Sequence, residues 1–222
     1  LKFKMRGYRQ GAEDSEKERI QVLNDLLLAM QTPLHAINDM VENVPNGGNL
    51  KSLLDHMGIM KQLVQIDAKK SIVHIAPLDC KAFFDKLDGI LSDIAGKKGI
   101  QVQMDVAQLQ GNIHTDYNYL HQIILNCSYL ALEAGMKGPL RIKAFTNHRD
   151  STFYDIEIMS FGEGLTQPQI ETIFDPYAFQ LRERDYTSPS GLALTQRLCH
   201  LLMGHIAVKS LPGTDLVINL SF

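Results

Sequence analysis

The N-terminal third of the chain carries a long helical pattern of apolar residues. Between residues 20 and 44 they recur in alternating steps of three and four, at Ile20, Leu23, Leu27, Met30, Leu34, Ile37, Val41 and Val44. This spacing forms one stripe along a helix and is typical of a coiled-coil seam. The breaker cluster at residues 45–48 is predicted to end that helix, and residues 50–64 repeat the pattern in a second helix. The two are predicted to form an antiparallel hairpin, and pairing two copies in a four-helix bundle would bury the seam, so we expect a homodimer.

The pattern changes near residue 76, where we place a boundary between a helical segment, residues 1–76, and a second domain, residues 77–222. Helices are predicted at residues 82–95, from Asp116, at 166–174 and at 190–203, and strands at 100–106, 140–146, 151–160 and in a closing hairpin over 205–222. Asp116 is the expected N-cap of its helix, and Gly99 and Gly204 are the expected stops of the helices before them. A run of helices beside a mostly antiparallel sheet predicts an α+β fold, built as a two-layer sandwich.

Composition and charge exclude some classes of protein. A formal net charge of −3 gives no broad basic surface for nucleic acid, and no apolar run reaches the length of about 18 residues that a membrane span needs. The 3 cysteines have no CxxC spacing and are expected to be small core residues in a reducing compartment. The chain begins without an initiator Met and with a basic cluster in residues 2–9. We therefore expect a piece of a longer protein, and the basic cluster would suit the cytoplasmic side of an upstream membrane span.

Pro33 lies inside the first predicted helix. A proline in a helix interior frees the carbonyl four residues back, here that of Ala29, and its ring clashes with that carbonyl. Because the position is costly, we expect Pro33 to be tolerated for a mechanical reason.

Several strings, in order along the chain, resemble the motifs of one protein family. MQTPLHAI (30–37) resembles the end of a phosphoacceptor box, HTDYNYLHQIILN (114–126) the approach to an N box, SFGEGL (160–165) a G1 box, ETIFDPY (171–177) an F box and SGLALTQRLCHLLMGHIAVKS (190–210) a G2 box. Together they resemble the kinase core of two-component sensor histidine kinases, from about residue 15 to residue 222. The resemblance implies a dimeric phosphotransfer hairpin followed by a two-layer α/β sandwich of the histidine kinase ATPase type. It also implies that Pro33 is the proline at which the family's first helix bends.

The residues that would perform phosphotransfer depart from the family's pattern. The phosphorylated histidine of the family lies five residues before the proline, and that position is Leu28 here. A leucine side chain has no nucleophilic nitrogen, so no catalytic residue of the usual kind is expected. His35 lies seven residues after Leu28, two helical turns along nearly the same face. Two interpretations of His35 stay open, a substitute phosphoacceptor and a polar surface histidine.

The nucleotide pocket implied by the resemblance is altered in the same way. Asn126 matches the first asparagine of the N box, but Leu130 stands where the family has its magnesium-binding asparagine. Ser160 replaces the aspartate that accepts a hydrogen bond from the adenine amino group. A hydrogen bond to a charged group contributes about 1.5 to 3 kcal/mol, so its loss alone weakens adenine binding by about one to two orders of magnitude. The vestigial cofactor-binding positions are Asn126, Leu130, Ser160, Gly162, Gly164 and Gly191.

The sequence leads to a signal-transduction module of the two-component type, a pseudo-histidine-kinase that acts through dimerisation and protein contacts. An active divergent histidine kinase, a phosphatase for a receiver domain and a phosphotransfer protein stay open as alternatives, so whether the chain is an enzyme is open too. The first interpretation needs no cofactor, whereas an active kinase needs ATP and Mg²⁺; the histidines have no metal-ligand spacing. Expected partners are a second copy of the chain and either a response-regulator receiver domain or a partner kinase.

Overall fold

The computed structural model describes residue 19 and residues 48–68, 71–109, 113–135, 138–146, 153–175 and 189–222. The chain divides into two compact units, Leu1–Ile72 and Val73–Phe222. Leu28, Pro33 and His35 lie outside the described residues, as does most of the first helix of the predicted hairpin. The hairpin, the four-helix bundle and the homodimer therefore stay predictions.

Helix α1 spans Gly48–Asp67 and belongs to the first unit. It contains residues 50–64, for which the sequence predicts the second helix of the hairpin. Among the helices in the described ranges, none combines the length and apolar character that crossing a membrane requires.

The second unit alternates helices and strands. In chain order its described elements are β1 (Ala76–Pro77), α2 (Cys80–Gly96), β2 (Val102–Gln108), β3 (His114–Thr115), α3 (Tyr117–Ala134), β4 (Leu140–Thr146), β5 (Tyr154–Phe161), α4 (Gln167–Glu171), α5 (Pro189–Leu201), β6 (His205–Leu211) and β7 (Asp215–Ser221). The strand predicted at residues 140–146 has the same bounds in the structure. The helix predicted at residues 166–174 is shorter and ends at Glu171.

A five-stranded sheet forms one layer of this unit, in the order β2-β4-β5-β7-β6. Strands β2 and β4 run parallel, and the other neighbouring strands are antiparallel. A parallel pair needs a crossover connection, and α3 lies in the chain between β2 and β4. The sheet is therefore mixed, with the antiparallel pairs in the majority as predicted. Strands β1 and β3 form a separate antiparallel pair, which the pattern does not predict because each strand has only two residues.

Burial alternates along the strands of the sheet and defines the core. In β5, Tyr154, Ile156, Ile158 and Ser160 are buried, and the residues between them are half-buried. The neighbouring strands continue this buried face with Leu140, Ile142, Ala144, Leu216, Ile218 and Leu220. Helix α3 packs against β5 and β7, and also contacts α2 and α5. The second unit is thus a two-layer α/β sandwich in which α3 joins the helical layer to the sheet.

Asp116 ties the start of α3 to the segment that precedes β1. Its Oδ1 accepts hydrogen bonds from the backbone N–H groups of Asn118 at 3.0 Å and Tyr119 at 3.1 Å, which makes it the N-cap that the sequence predicts. Its Oδ2 accepts a hydrogen bond from the His74 N–H at 2.8 Å. Since the residue is 3% exposed, these donors replace the water that a carboxylate would otherwise bind.

Helix α5 ends at Leu201, two residues before the predicted end at Met203. The residue with left-handed backbone geometry is Met203, at φ 60° and 94% exposed, and not Gly204. The Gly204 N–H donates to the Cys199 carbonyl oxygen at 2.7 Å. A Cβ at position 204 would lie 2.6 Å from the Ser221 carbonyl oxygen. Glycine is therefore required by the close approach of the chain end, a contact that the local sequence does not reveal.

Two of the three cysteines are core residues, as the sequence predicts. Cys127 and Cys199 are buried, Cys80 is half-buried, and all three are free thiols. Burial raises the pKa of the Cys199 thiol to about 12. Burial, with a smaller effect of the nearby Cys199, raises the pKa of Cys127 well above its usual value. The two buried thiols are therefore protonated and unreactive at neutral pH.

Replacement of Asp116 by Ala is expected to lower the free energy of unfolding by about 2 to 3 kcal/mol, because three backbone N–H groups lose a buried acceptor. Asp116→Asn keeps one acceptor oxygen for the cap and is expected to lose less. Denaturant unfolding followed by circular dichroism measures both.

The matched control is Asp79→Ala, since Asp79 is the exposed N-cap of α2 and accepts from the Ala82 N–H at 3.0 Å. Loss of this cap is expected to cost about 1 kcal/mol. Equal losses for Asp79→Ala and Asp116→Ala would show that the bond to His74 contributes nothing.

Candidate functional site

Helix α3 carries two of the predicted site residues. Asn126 and Leu130 are four positions apart and therefore lie on the same face of the helix. Asn126 is half-buried, and Leu130 is buried. The apolar side chain of Leu130 offers no ligand atom to a cation.

Asn126 is joined to α5 by a hydrogen bond between side chains. Its Nδ2 donates to Oγ1 of Thr195 at 3.0 Å, across 69 residues of sequence. Thr195 is fully buried and lies one helical turn after Gly191. The sequence does not single out Thr195, and its helical phase relative to Gly191 is the signal that could have found it. The amide of Asn126 is thus engaged within the protein.

Ser160 is the last buried residue of β5 on the face that meets the helices. Its side chain is 2% exposed, and its hydroxyl has no hydrogen-bond partner among the described residues. Gly135, the C-cap of α3, lies directly against it. A Cβ on Gly135 would be 2.6 Å from Ser160 Oγ and 2.9 Å from the Ala131 carbonyl oxygen. Ser160 therefore packs against the backbone at the end of α3, and sequence reasoning missed Gly135 because this approach is made in tertiary structure.

The turn after β5 folds back onto the end of α3. The N–H groups of Glu163 and Gly164 both donate to the Ala134 carbonyl oxygen, at 3.0 and 3.3 Å. Ala134 is the last residue of α3, so its carbonyl has no partner within the helix and is free to accept them. The Gly162 N–H donates to the Thr214 carbonyl oxygen at 3.0 Å, which links the turn to the connection between β6 and β7. Gly164 has φ +64°, a left-handed value that glycine adopts readily.

The predicted pocket positions come from three parts of the chain. Ser160, Gly162 and Gly164 lie around the C-terminal end of α3, and Asn126 is bonded to α5, whose first turn contains Gly191. None of the six predicted positions carries a charged side chain. Within the described ranges, His, Cys, Asp and Glu side chains form no group of three or more that could hold a metal ion.

A groove of about 270 Å³ lies in another part of this unit and is lined by residues that include Pro77, Phe83, Lys86 and Tyr117. The Lys86 Nζ lies 5.7 Å from the centroid of the Tyr117 ring, which is a cation–π contact. His121 stacks on Tyr117 with 5.9 Å between ring centroids. Burial, with a smaller effect of Lys86, lowers the pKa of His121 below its usual value. The imidazole is therefore neutral at neutral pH.

Residues 115–222 match the family described as histidine kinase-, DNA gyrase B-, and HSP90-like ATPases. Sensor histidine kinase ZraS of Salmonella typhimurium is 24% identical over 221 residues, which covers 92% of this chain and 46% of ZraS. Sensor histidine kinase YclK of Bacillus subtilis is 23% identical over 238 residues, covering 98% of this chain and 50% of YclK. The chain thus spans about half the length of these curated relatives.

Solved structures share the fold of this chain. Full-length ShkA in complex with AMPPNP superposes with a TM-score of 0.69 at 19% identity, covering 90% of this chain and 45% of ShkA. Histidine kinase AdeS of Acinetobacter baumannii gives a TM-score of 0.65 at 15% identity, covering 88% of this chain and 94% of the AdeS chain. These matches agree with the predicted sandwich of the histidine kinase ATPase type.

Replacement of Gly135 by Ala is expected to lower the free energy of unfolding by about 2 kcal/mol, because the added methyl group overlaps Ser160 and the Ala131 carbonyl oxygen. Ser160→Gly in the same chain removes the first overlap and is expected to restore part of the loss. Gly89→Ala is the control, since a Cβ there meets nothing within 4 Å. Thermal unfolding compares the variants, and a Gly135→Ala protein as stable as the wild type would contradict the close approach.

An NMR titration of His121 is expected to give a pKa below 6.5, its usual value, because burial and Lys86 disfavour the imidazolium. A histidine whose pKa is lower in the folded state than in the unfolded state favours folding at pH values above its unfolded-state pKa. This contribution to stability is lost as the pH falls through the folded-state pKa. The free energy of unfolding should therefore decrease on acidification below pH 6.5, and His121→Gln should reduce that decrease. Lys86→Gln should raise the pKa, whereas Lys86→Arg should not. A pKa at or above 6.5 would contradict the structure.

Proposed function

We propose that this chain, whose residues 115–222 match the histidine kinase-, DNA gyrase B-, and HSP90-like ATPase family, is the core of a two-component-type sensor that no longer transfers phosphate. In this proposal it is a pseudo-histidine-kinase that relays a conformational signal through protein contacts. The names of the curated relatives, sensor histidine kinases, support a role in two-component signalling.

The proposal depends on which atoms the predicted pocket residues offer to a metal ion or a nucleotide. Mg²⁺ takes oxygen ligands, usually with at least one carboxylate, and Leu130 offers no oxygen at the position where the family's magnesium ligand is expected. The Asn126 amide is bonded to Thr195. Ser160 presents a neutral hydroxyl where a carboxylate would accept the adenine amino group, and this hydroxyl packs against the end of α3. The residues present do not fit a tightly held magnesium nucleotide.

The acceptor side of the reaction supports the same conclusion. Phosphoryl transfer depends on a positioned nucleophile and on neutralisation of the charge that develops on the phosphate. Leu28 supplies no nucleophile at the family's phosphoacceptor position. Two independent requirements of the chemistry are therefore missing from this sequence, which favours a role that does not depend on catalysis.

The wider architecture in this proposal follows the sequence pattern. Residues 1–76 form a helical hairpin that pairs with a second copy, Pro33 lets its first helix bend, and residues 77–222 form the sandwich. The signal comes from an upstream membrane-linked sensor, and the cytoplasmic output is a contact with a receiver domain or a partner kinase. A bundle with two stable arrangements can carry such a signal without chemistry.

An active divergent kinase or phosphotransfer protein is the second candidate. Asn126, Gly162 and Gly164 keep the family's residues, and the fold is shared with ShkA, whose structure contains AMPPNP. In this alternative His35 accepts the phosphate, and ATP with Mg²⁺ binds in the sandwich. A phosphatase for a receiver domain would use the same scaffold.

Incubation of the chain with γ-³²P-labelled ATP and Mg²⁺ is expected to leave no label on the protein, because the phosphoacceptor position is Leu28. Calorimetry at millimolar ATP is expected to show no binding, because the pocket offers neither a metal ligand at Leu130 nor a carboxylate at Ser160. The chain with Leu28→His and Leu130→Asn tests whether restoring these groups restores any label.

Label on the wild type that disappears in His35→Ala would contradict the proposal and support an active kinase. Label that arrives from a phosphorylated receiver domain, and not from ATP, would instead support a phosphotransfer protein. Accelerated loss of phosphate from the receiver domain, without label on this chain, would support a phosphatase.

A further inference from the structure

Helices α3 and α5 contact each other, and both carry buried apolar residues. On α5, Leu192, Leu194 and Leu198 are at most 4% exposed. Cys127 on α3 and Cys199 on α5 are both fully buried. Burial of apolar area is non-directional, so it favours contact between the two helices without by itself pairing one particular atom with another.

A hydrogen bond between two side chains links α3 to α5. Asn126 Nδ2 donates to Thr195 Oγ1 at 3.0 Å, and Thr195 is fully buried. Unlike apolar packing, this bond has a required direction and length. Sliding α5 by a fraction of a turn would separate the amide from the hydroxyl and leave a buried polar group without its partner, which costs more than the bond itself contributes.

We propose that the Asn126–Thr195 hydrogen bond is an internal lock that holds α5 in register on α3 without a bound nucleotide. Thr195 is a positioning residue in this proposal, since it acts by holding the Asn126 amide. At the C-terminal end of α3, the Glu163 and Gly164 N–H groups donate to the Ala134 carbonyl oxygen. The helical layer is thereby held by contacts of the protein with itself.

The inference deepens the proposed function and rests on it, because a module that signals by contact needs an ordered surface whether or not nucleotide is present. The lock provides that order from two side chains 69 residues apart in sequence. It also assigns Asn126, the retained asparagine of the N box, to a bond within the protein.

The test compares Thr195→Val with Thr195→Ser in the full chain. Valine has nearly the shape of threonine but lacks the hydroxyl, whereas serine keeps it. Backbone amides of α5 are expected to exchange with deuterium about tenfold faster in Thr195→Val, since loss of one buried hydrogen bond lowers the local opening energy by about 1.4 kcal/mol. Exchange in β5 should not change, and Thr195→Ser should behave like the wild type.

A measurement on the wild type keeps the lock testable even if Thr195→Val does not fold. The two side-chain amide protons of Asn126 should exchange slowly and give cross-peaks to the Thr195 methyl group in NMR spectra. Rapid exchange of these protons without such cross-peaks would overturn the lock. So would a folded Thr195→Val protein whose α5 exchanges at the wild-type rate.

Addition of ATP with Mg²⁺ to the wild type separates the lock from the proposed function. Unchanged α5 exchange supports both, because the helix is then ordered without ligand. Slower deuterium exchange in α5 on addition of nucleotide would contradict the proposed function. It would also contradict the proposal that the lock holds α5 without a ligand. Wild-type exchange in Thr195→Val, with no response to ATP, would overturn the lock alone.

Discussion

Helix α3 is buried between the sheet and the neighbouring helices, and the other features of the second unit depend on that burial. Its apolar face covers β5 and β7, while its flanks contact α2 and α5. Burial of this kind is non-directional and does not by itself fix where a helix begins, ends or points. Three polar contacts supply the missing direction, at Asp116 before its first turn, at Asn126 in its middle and at Ala134 at its end.

The same contacts determine the chemistry of the candidate site. The last carbonyl of α3 accepts from the turn after β5, the middle of the helix bonds to α5, and Ser160 packs against Gly135. The Asn126 amide and the carbonyl at the C-terminal end of α3 are thus hydrogen-bonded within the protein.

The segment of residues 73–78 connects to the sandwich at a fixed point. The His74 N–H is held by Asp116, β1 pairs with β3, and the Leu78 N–H donates to the Ile113 carbonyl oxygen at 2.8 Å. These bonds attach the start of the second unit to the N-terminus of α3. Movement of this segment would therefore act directly on the helix that organises the site, which is the physical route for a signal in the proposed function.

Local pattern alone determined much of this fold. The bounds of β4, the cap at Asp116 and the alternating burial of β5 follow from periodicity and capping chemistry, which depend on residues near one another in sequence. The departures from the family's motifs at Leu130 and Ser160 are likewise visible in the sequence itself. Tertiary structure decided what lies beside them: Thr195 beside Asn126, Gly135 against Ser160, the parallel pairing of β2 with β4, and the left-handed residue at Met203 in place of Gly204. Each of these arises where segments distant in sequence approach within a few ångströms, and no local pattern encodes that approach.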